Sequence, residues 1–178
     1  MKNLNYLLSK KSLLVMIMVF AFNLSAICGT EVIEGSLSCL KGEKYITIKM
    51  DCSKIIYKKD RPFQDFLDKA PRMEDWEIES IKYFCREFNQ KTFKVHLSAV
   101  LETSKNSGTY ELLIIPLIIN GGGSIKGKAY VINRETNEKV VTLIIKGEGD
   151  DDDEITLRDP LKEIGEDIGK LCYKAIKK

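Results

Sequence analysis

A glycine-rich segment with two lysines is the first stretch whose residue types could do chemistry. Gly122–Lys128 reads GGSIKGK, which fits the GxxxxGK part of a phosphate-binding loop. Such a loop also needs a serine or threonine next, whose hydroxyl binds magnesium, and it must open a helix whose first amides hold the phosphate. Ala129 follows instead, and Ala129–Asn133 has the composition of a β-strand. We therefore interpret the segment as a hairpin connection and assign no cofactor to it.

The only histidine of the chain, His96, raises the question of a hydrolase. In a predicted strand over Thr92–Leu101, His96 and Ser98 share one face, where an imidazole could activate a hydroxyl nucleophile. The chain has no GxSxG nucleophile elbow, and no second histidine that would complete a common zinc site. We predict that the protein is not an enzyme and keep a hydrolase using His96 as the second alternative.

An acidic run, Asp150–Glu154, follows shortly after Glu148. Carboxylates are suitable ligands for calcium, but the run lacks the D-x-D-x-D-G spacing and the distant glutamate of an EF-hand loop. Adjacent like charges repel one another and favour a solvated loop. We assign no metal ligand here and keep a calcium- or small-ligand-binding module as the first alternative function.

Four cysteines lie beyond position 28, an even number that allows two disulfides in an exported protein. Their spacing leaves all three connectivities open, and buried free thiols are the competing interpretation. No pair has CxxC spacing, so neither a redox motif nor a zinc knuckle is indicated. The candidate disulfide cysteines are Cys39, Cys52, Cys85 and Cys172.

Residues 1–28 have the pattern of a secretory signal peptide. Three lysines precede an apolar run, Ser12–Ala21, and small residues follow it. The run has about half of the roughly 20 residues that a helix needs to cross a bilayer, so we expect a cleaved leader and no transmembrane span afterwards. Cys28 is a candidate for lipidation, although bulky Ile27 stands where a bacterial lipobox has a small residue. We expect one domain, residues 29–178, in the periplasm or outside the cell, with outer-membrane association as an open alternative.

The charge of that domain excludes one large class of partners. Residues 1–28 hold three lysines and no acidic residue, so the remainder has 25 basic and 26 acidic residues and a net charge of −1. Proteins that bind nucleic acids through phosphate contacts have a basic excess. We therefore predict no nucleic-acid partner.

A block of three predicted strands, Thr109–Gly147, forms the structural centre of the chain. Seven of the eight residues in Leu112–Ile119 are apolar, which favours a buried strand, and two turn-like breaks after it indicate a β-meander. Pro116 interrupts this strand and cannot donate to a β-ladder, so it predicts either a bulge or an edge. The edge alternative makes Leu113, Ile115 and Pro116 a candidate interaction edge.

Periodicity defines the remaining elements. Alternation predicts strands over Glu31–Leu40 and Tyr45–Tyr57 that pair as a hairpin, and a Thr92–Leu101 strand that pairs antiparallel with the next one. Helical spacing predicts a short helix after Pro62, a helix over Asp75–Gln90 and a final helix from about Thr156–Asp159, in which Gly165 and Gly169 favour a close approach. The pattern predicts an α+β fold: a largely antiparallel sheet of about six strands with two long helices on one face.

The second half resembles small bacterial cell-envelope domains of secreted proteins and lipoproteins. The resemblance rests on the glycine-rich break after an apolar strand, on AYVINRETNEKVV, on the glycine-acidic loop and on the final helix. GSLSCLKGEK and the strand after it are similar to the start of exported proteins of the Bacteroidetes type. The resemblance implies an α/β envelope domain, of a kind that often has no known catalysis, and assigns no functional residue.

Together these observations predict an exported cell-envelope protein that acts by protein or surface interaction. The expected partner is an envelope protein or a second copy of the chain.

Overall fold

The computed structural model describes residues 29–58, 60–68, 76–120, 122–149 and 157–178. The predicted signal peptide, Cys28 and the acidic run Asp150–Glu154 lie outside these residues. Two 3-10 turns, Leu37–Leu40 and Phe93–Val95, accompany the helices and strands. These are β1 Glu31–Gly35, β2 Tyr45–Met50, β3 Ile56–Tyr57, β4 Arg61–Pro62, α1 Gln64–Leu67, α2 Trp76–Thr92, β5 Ser98–Leu101, β6 Tyr110–Ile119, β7 Ile125–Asn133, β8 Glu138–Gly147 and α3 Arg158–Lys177.

The strands form one mixed, mostly antiparallel sheet. Its order is β1-β8-β7-β6-β2-β5, and the short pair β3–β4 adjoins the far end of β6. The pairs β1–β8, β8–β7, β7–β6 and β3–β4 are antiparallel, whereas β2 is parallel to both β5 and β6 and β3 is parallel to β6. The α+β class and the predicted meander β6–β7–β8 are thus confirmed, with eight strands in place of about six.

Two other predicted hairpins are wrong: the one between Glu31–Leu40 and Tyr45–Tyr57, and the one between Thr92–Leu101 and β6. β1 pairs with β8, at the other end of the chain, and β2 lies between β5 and β6 as their parallel neighbour. The two predicted strands are also shorter: a 3-10 turn replaces the end of the first, and β2 ends at Met50. Alternation of apolar residues shows that a segment is extended, but it does not identify the partner strand.

The bulge predicted at Pro116 is present. The register of β6 against β7 shifts between Pro116 and Ile118. Gly127 lies opposite Pro116, and a Cβ atom on Gly127 would come within 2.2 Å of the carbonyl oxygen of Ile115. β6 has β7 on one side and β2 and β3 on the other, and Leu113 is paired on both sides, with Tyr130 and Lys49. The pairing with β2 ends at Ile114 and the pairing with β3 begins at Ile118, so neither strand pairs with Ile115 or Pro116, and an interaction edge there stays a prediction.

The two long helices pack against each other and cover the buried face of the sheet. α2 contacts β2 and β5, and α3 contacts β8 and the first 3-10 turn. Apolar side chains of both helices and of the central strands form one buried cluster, which includes Phe84, Phe88, Ile164, Ile168, Leu112, Ile114, Val131 and Leu143. In the described part of the chain, no helix has the length and apolar character to span a membrane.

Two glycines of α3 allow the close helix contact that their spacing predicted. Gly165 faces the backbone of Phe84, and Gly169 faces Phe88 and Lys91, one turn further along both helices. The helices therefore run in the same direction, and their C-terminal ends lie at the same end of the molecule. This parallel arrangement determines where the last turns of the two helices meet.

Candidate functional site

The end of α2 is followed by a tightly held turn. The hydroxyl of buried Thr92 lies 3.0 and 2.6 Å from the carbonyl oxygens of Phe88 and Leu97, which share its single proton. His96 ends the 3-10 turn in the left-handed conformation, with φ of 58°. The contact with Leu97 ties the residue before β5 to the last turn of α2. The chain thus reverses sharply between α2 and β5.

Asn89 fixes the other side of the same turn. Its side-chain amide donates to the carbonyl oxygen of Ala99 at 3.1 Å, and its oxygen accepts from the Ala99 amide at 2.6 Å. Ser98, the preceding residue, bonds instead toward β2 through the carbonyl oxygen of Lys44. Asn89 therefore occupies the outer side of edge strand β5, as a neighbouring strand would, and anchors β5 to α2.

The turn leaves an aromatic ring in solvent and forms one wall of a cleft. Phe93 is 77% exposed. The last turns of α3 form the opposite wall, and the cleft between them has a volume of about 340 Å³. We call it the lysine cleft; its walls carry Lys91, Phe93, Lys94, Lys170, Tyr173 and Lys174.

Two of the four cleft lysines are neutralised by acidic residues of α3. Glu166 pairs with Lys91 across the helix contact at 3.0 Å and with Lys170 along α3 at 2.9 Å. These hydrogen bonds, from Lys170 first and Lys91 second, lower the pKa of Glu166 below its ordinary value. Within the described residues, Lys94 and Lys174 have no carboxylate at ion-pair distance, so the cleft has a surplus of positive charge.

Helix electrostatics explain part of this arrangement. Because α2 and α3 end at the same side, the negative ends of both helix dipoles lie there, and lysines in the last turns stabilise them. Lys177 also lies over the ring of Tyr173, 5.3 Å from its centroid, and its hydrogen bond lowers the pKa of that phenol. The dipoles do not require an exposed phenylalanine, so Phe93 needs a different explanation.

The predicted hydrolase residues are not assembled into a site. The predicted Thr92–Leu101 strand is wrong in its first half, because Thr92 ends α2 and β5 begins only at Ser98. His96 is exposed in the turn, and its side chain makes no hydrogen bond with the described residues. The structure therefore does not bring an imidazole base to the Ser98 hydroxyl.

Of the glycine-rich segment Gly122–Lys128, which was predicted to be a hairpin connection, Gly122–Ser124 lies in the connection between β6 and β7, and Ile125–Lys128 begins β7. The side-chain oxygen of Asn120 accepts from the amides of Gly122 and Ser124, at 3.1 and 2.9 Å, and β7 begins at Ile125. Ser124 also donates to Glu148 at 3.0 Å. Amides that a phosphate-binding loop would offer to a ligand are thus already bonded to Asn120.

The four candidate disulfide cysteines are thiols in the structure. Burial raises the pKa of Cys52 and of Cys85 to about 12, and it raises the pKa of Cys172 further. The pKa of half-buried Cys39 is also raised, mainly by desolvation. Thiols with raised pKa values are poor nucleophiles. Among the residues that the structure describes, no group of three or more histidine, cysteine or acidic side chains is placed to hold a metal ion.

Sequence reasoning missed the lysine cleft. Lys170 and Lys174 are four residues apart, which is also the spacing of an ordinary solvated helix face. Phe93 fitted the apolar side of the strand predicted over Thr92–Leu101. The signal that could have found the cleft is the pair Phe93-Lys94 placed directly after a helix, once the helix was extended to Thr92.

No protein-family model matches the chain, and no curated protein matches it. Two solved structures of PelC dodecamers from Paraburkholderia phytofirmans are similar in outline. The dodecamer in space group P6 has a TM-score of 0.48 and 8% identity, and a point variant in space group C2 has a TM-score of 0.44 and 7% identity. Each comparison covers 80% of this chain and 95% of the other. Similarity this low does not transfer an activity or a partner to this chain.

Proposed function

We propose that this chain is an exported cell-envelope protein that works by binding and not by catalysis, and that the lysine cleft is where it binds an anionic group. The observation that carries the proposal is the cleft itself, in which Lys94 and Lys174 have no acidic partner among the described residues while Phe93 stands in solvent. A ligand with negative charge would supply the counter-charge that the described residues do not.

The construction of the cleft supports a binding role. Its two walls come from different elements, and the turn that carries Phe93 and Lys94 is held by the side chains of Thr92 and Asn89. Preorganised walls lose little conformational entropy on binding, so the interaction energy is retained as affinity. The pair of lysines shared by Glu166 adds a fixed ionic link between the two walls.

The magnitude expected for a small anion is modest. Exposed charge pairs contribute roughly 0.2–1 kcal/mol each, so Lys94 and Lys174, the two lysines that Glu166 does not neutralise, supply at most about 2 kcal/mol. That energy corresponds to a Kd of roughly 40 mM. A small anion therefore binds weakly, and a partner that presents several negative charges binds more tightly because each additional lysine contact adds to the same complex.

The test is an NMR titration of the protein with inorganic phosphate at low ionic strength. We expect amide shifts concentrated at Phe93, Lys94 and Tyr173, which decrease strongly in the double variant Lys94→Gln/Lys174→Gln. A matched control, Lys126→Gln/Lys128→Gln, removes the same charge from β7 and should leave the shifts unchanged.

Shifts spread evenly over the surface, or equal responses of the two double variants, would contradict a specific anion site. A catalytic role would be indicated instead by turnover of a model ester that is lost in His96→Ala.

A further inference from the structure

The exposed ring of Phe93 favours a lipid surface over a small soluble anion as the partner of the lysine cleft. We infer that the cleft docks on a lipid surface bearing anionic phosphate headgroups, with the Phe93 ring entering the boundary between headgroups and acyl chains. The inference rests on the proposed function and narrows its ligand to one class. A small soluble anion could use the lysines, but it would leave the ring in water.

The exposure of Phe93 is the first observation that favours a lipid surface. At 77% it exceeds that of every other large hydrophobic side chain in the described residues, of which the next, Ile33, is 49% exposed. The ring is not on a loose loop, because the adjacent Thr92 is buried and its hydroxyl is hydrogen-bonded to the backbone carbonyl oxygens of Phe88 and Leu97. An apolar ring held out from a rigid turn gains free energy only by entering an apolar phase or a partner's pocket.

The second observation is the set of four lysines around the Phe93 side chain. Lys91 and Lys94 lie beside it, and Lys170 and Lys174 face it across the cleft. Lysine carries a long apolar stem with a charged tip, so it can stay beside an inserted ring while its ammonium contacts a phosphate. A single apolar anchor with several lysines around it is the composition of interfacial membrane sites, where electrostatic attraction and shallow insertion act together.

A protein partner fits these observations less well. Protein interfaces are depleted in lysine, and their energy comes from a cluster of buried anchors. The cleft offers one exposed ring and four lysines in about 340 Å³. An anionic polysaccharide would satisfy the lysines and could stack on Phe93, so the experiment must distinguish it from a membrane.

The experiment measures flotation of the full-length chain with vesicles of phosphatidylglycerol and phosphatidylcholine, against vesicles of phosphatidylcholine alone. Because Ser12–Ala21 is itself apolar, binding to the neutral vesicles sets the baseline. We expect stronger partitioning onto the anionic vesicles. Each lysine near such a surface contributes about fivefold, so Lys94→Gln/Lys174→Gln should weaken binding roughly 25-fold at low salt.

Phe93→Ala should weaken vesicle binding by about fivefold to tenfold, because the apolar ring no longer leaves water. Phe93→Trp should restore it, since tryptophan favours the interface. Soluble glycerol phosphate, which has the headgroup phosphate without acyl chains, should shift the amides of Lys94 and Tyr173 in the parent chain. Lys126→Gln/Lys128→Gln, the matched control, should bind vesicles like the parent chain.

Each other outcome overturns a definite part of the argument. If glycerol phosphate shifts the cleft residues but Phe93→Ala binds vesicles like the parent, the lipid inference fails and the proposed anion site stands. If the full-length chain binds polygalacturonate through the cleft and shows no preference for anionic vesicles, the ligand is a polysaccharide. If neither phosphate, glycerol phosphate nor vesicles respond to the cleft variants, both proposals fail.

Discussion

The side chain of Asn89 bonds the outer backbone groups of edge strand β5, which a neighbouring strand would otherwise bond. It exchanges two hydrogen bonds with the backbone of Ala99, and the Ala99 side chain is only 4% exposed. Asn89→Ala would leave an amide and a carbonyl group without partners on the outer side of β5. We expect this substitution to be among the most damaging polar changes outside the apolar core.

The magnitude follows from the two lost bonds. A hydrogen bond contributes about 1 kcal/mol net, and leaving a buried partner unsatisfied costs about 1–3 kcal/mol. Asn89 is half-buried, so water can reach part of the space that its side chain would vacate. The destabilisation from each unsatisfied backbone group therefore lies near the lower end of that range. Alanine has the better helix propensity by roughly 0.5 kcal/mol, which offsets part of the loss. The expected net destabilisation is therefore about 1.5–3 kcal/mol.

Urea denaturation measures this free energy directly, with an unchanged m-value expected because the folded surface is nearly the same. Hydrogen exchange of the Ala99 amide should accelerate as well. Asn106→Ala is the matched control, since the exposed Asn106 side chain makes no hydrogen bond with the described residues, and this substitution should change stability by less than about 0.5 kcal/mol. If Asn89→Ala also falls within that range, Asn89 does not anchor β5.

Two further predictions concern packing. Gly165→Ala should lower the free energy of unfolding by about 1–2 kcal/mol, because its Cβ would lie 2.5 Å from the carbonyl oxygen of Phe84 and overpacking exceeds the gain in helix propensity. Gly169→Ala meets its nearest atom at 2.9 Å and should be milder; equal thermal midpoints for the two would refute the close helix contact. Thr47→Val should stabilise the protein by about 1 kcal/mol in the same urea assay, since the Thr47 hydroxyl is buried and has no hydrogen-bond partner among the described residues. A loss of stability would show that this hydroxyl has a partner in solution.

The parts of the fold that the sequence predicted are those set by local interactions. The meander β6–β7–β8 needs only two short turns, and Asn133 closes the second by accepting from the amides of Glu135 and Thr136. The pairing of β2 with β5 and β6 depends on segments that are far apart in the chain, and no local pattern encodes it. The sequence therefore predicted the pairing of β6, β7 and β8 with one another, and it predicted β1, β2 and β5 without their partners.

The lysine cleft was not predicted because Thr92–Leu101 was interpreted as one continuous strand. Phe93, Val95 and Leu97 alternate like the inner face of a strand, while buried Thr92 continues the helical stripe of Phe84 and Phe88. Over so few residues, the spacing of apolar side chains fits both a helix and a strand. The hydrogen bonds of Thr92 favour the helix end followed by a turn. Only the resulting turn places Phe93 opposite the end of α3, so a cleft between the two elements could not be predicted from either one.

The two edges of the sheet bear on how this protein meets a partner. Asn89 occupies the outer groups of β5 at Ala99, and β1 has an irregular register between Val32 and Glu34. A filled edge position and a bulged, acidic edge are both ways in which proteins prevent strand addition. A partner, or a second copy of the chain, would therefore have to disrupt one of these features to extend the sheet. The lysine cleft needs no such disruption, because its charge and its exposed ring are already presented to solvent.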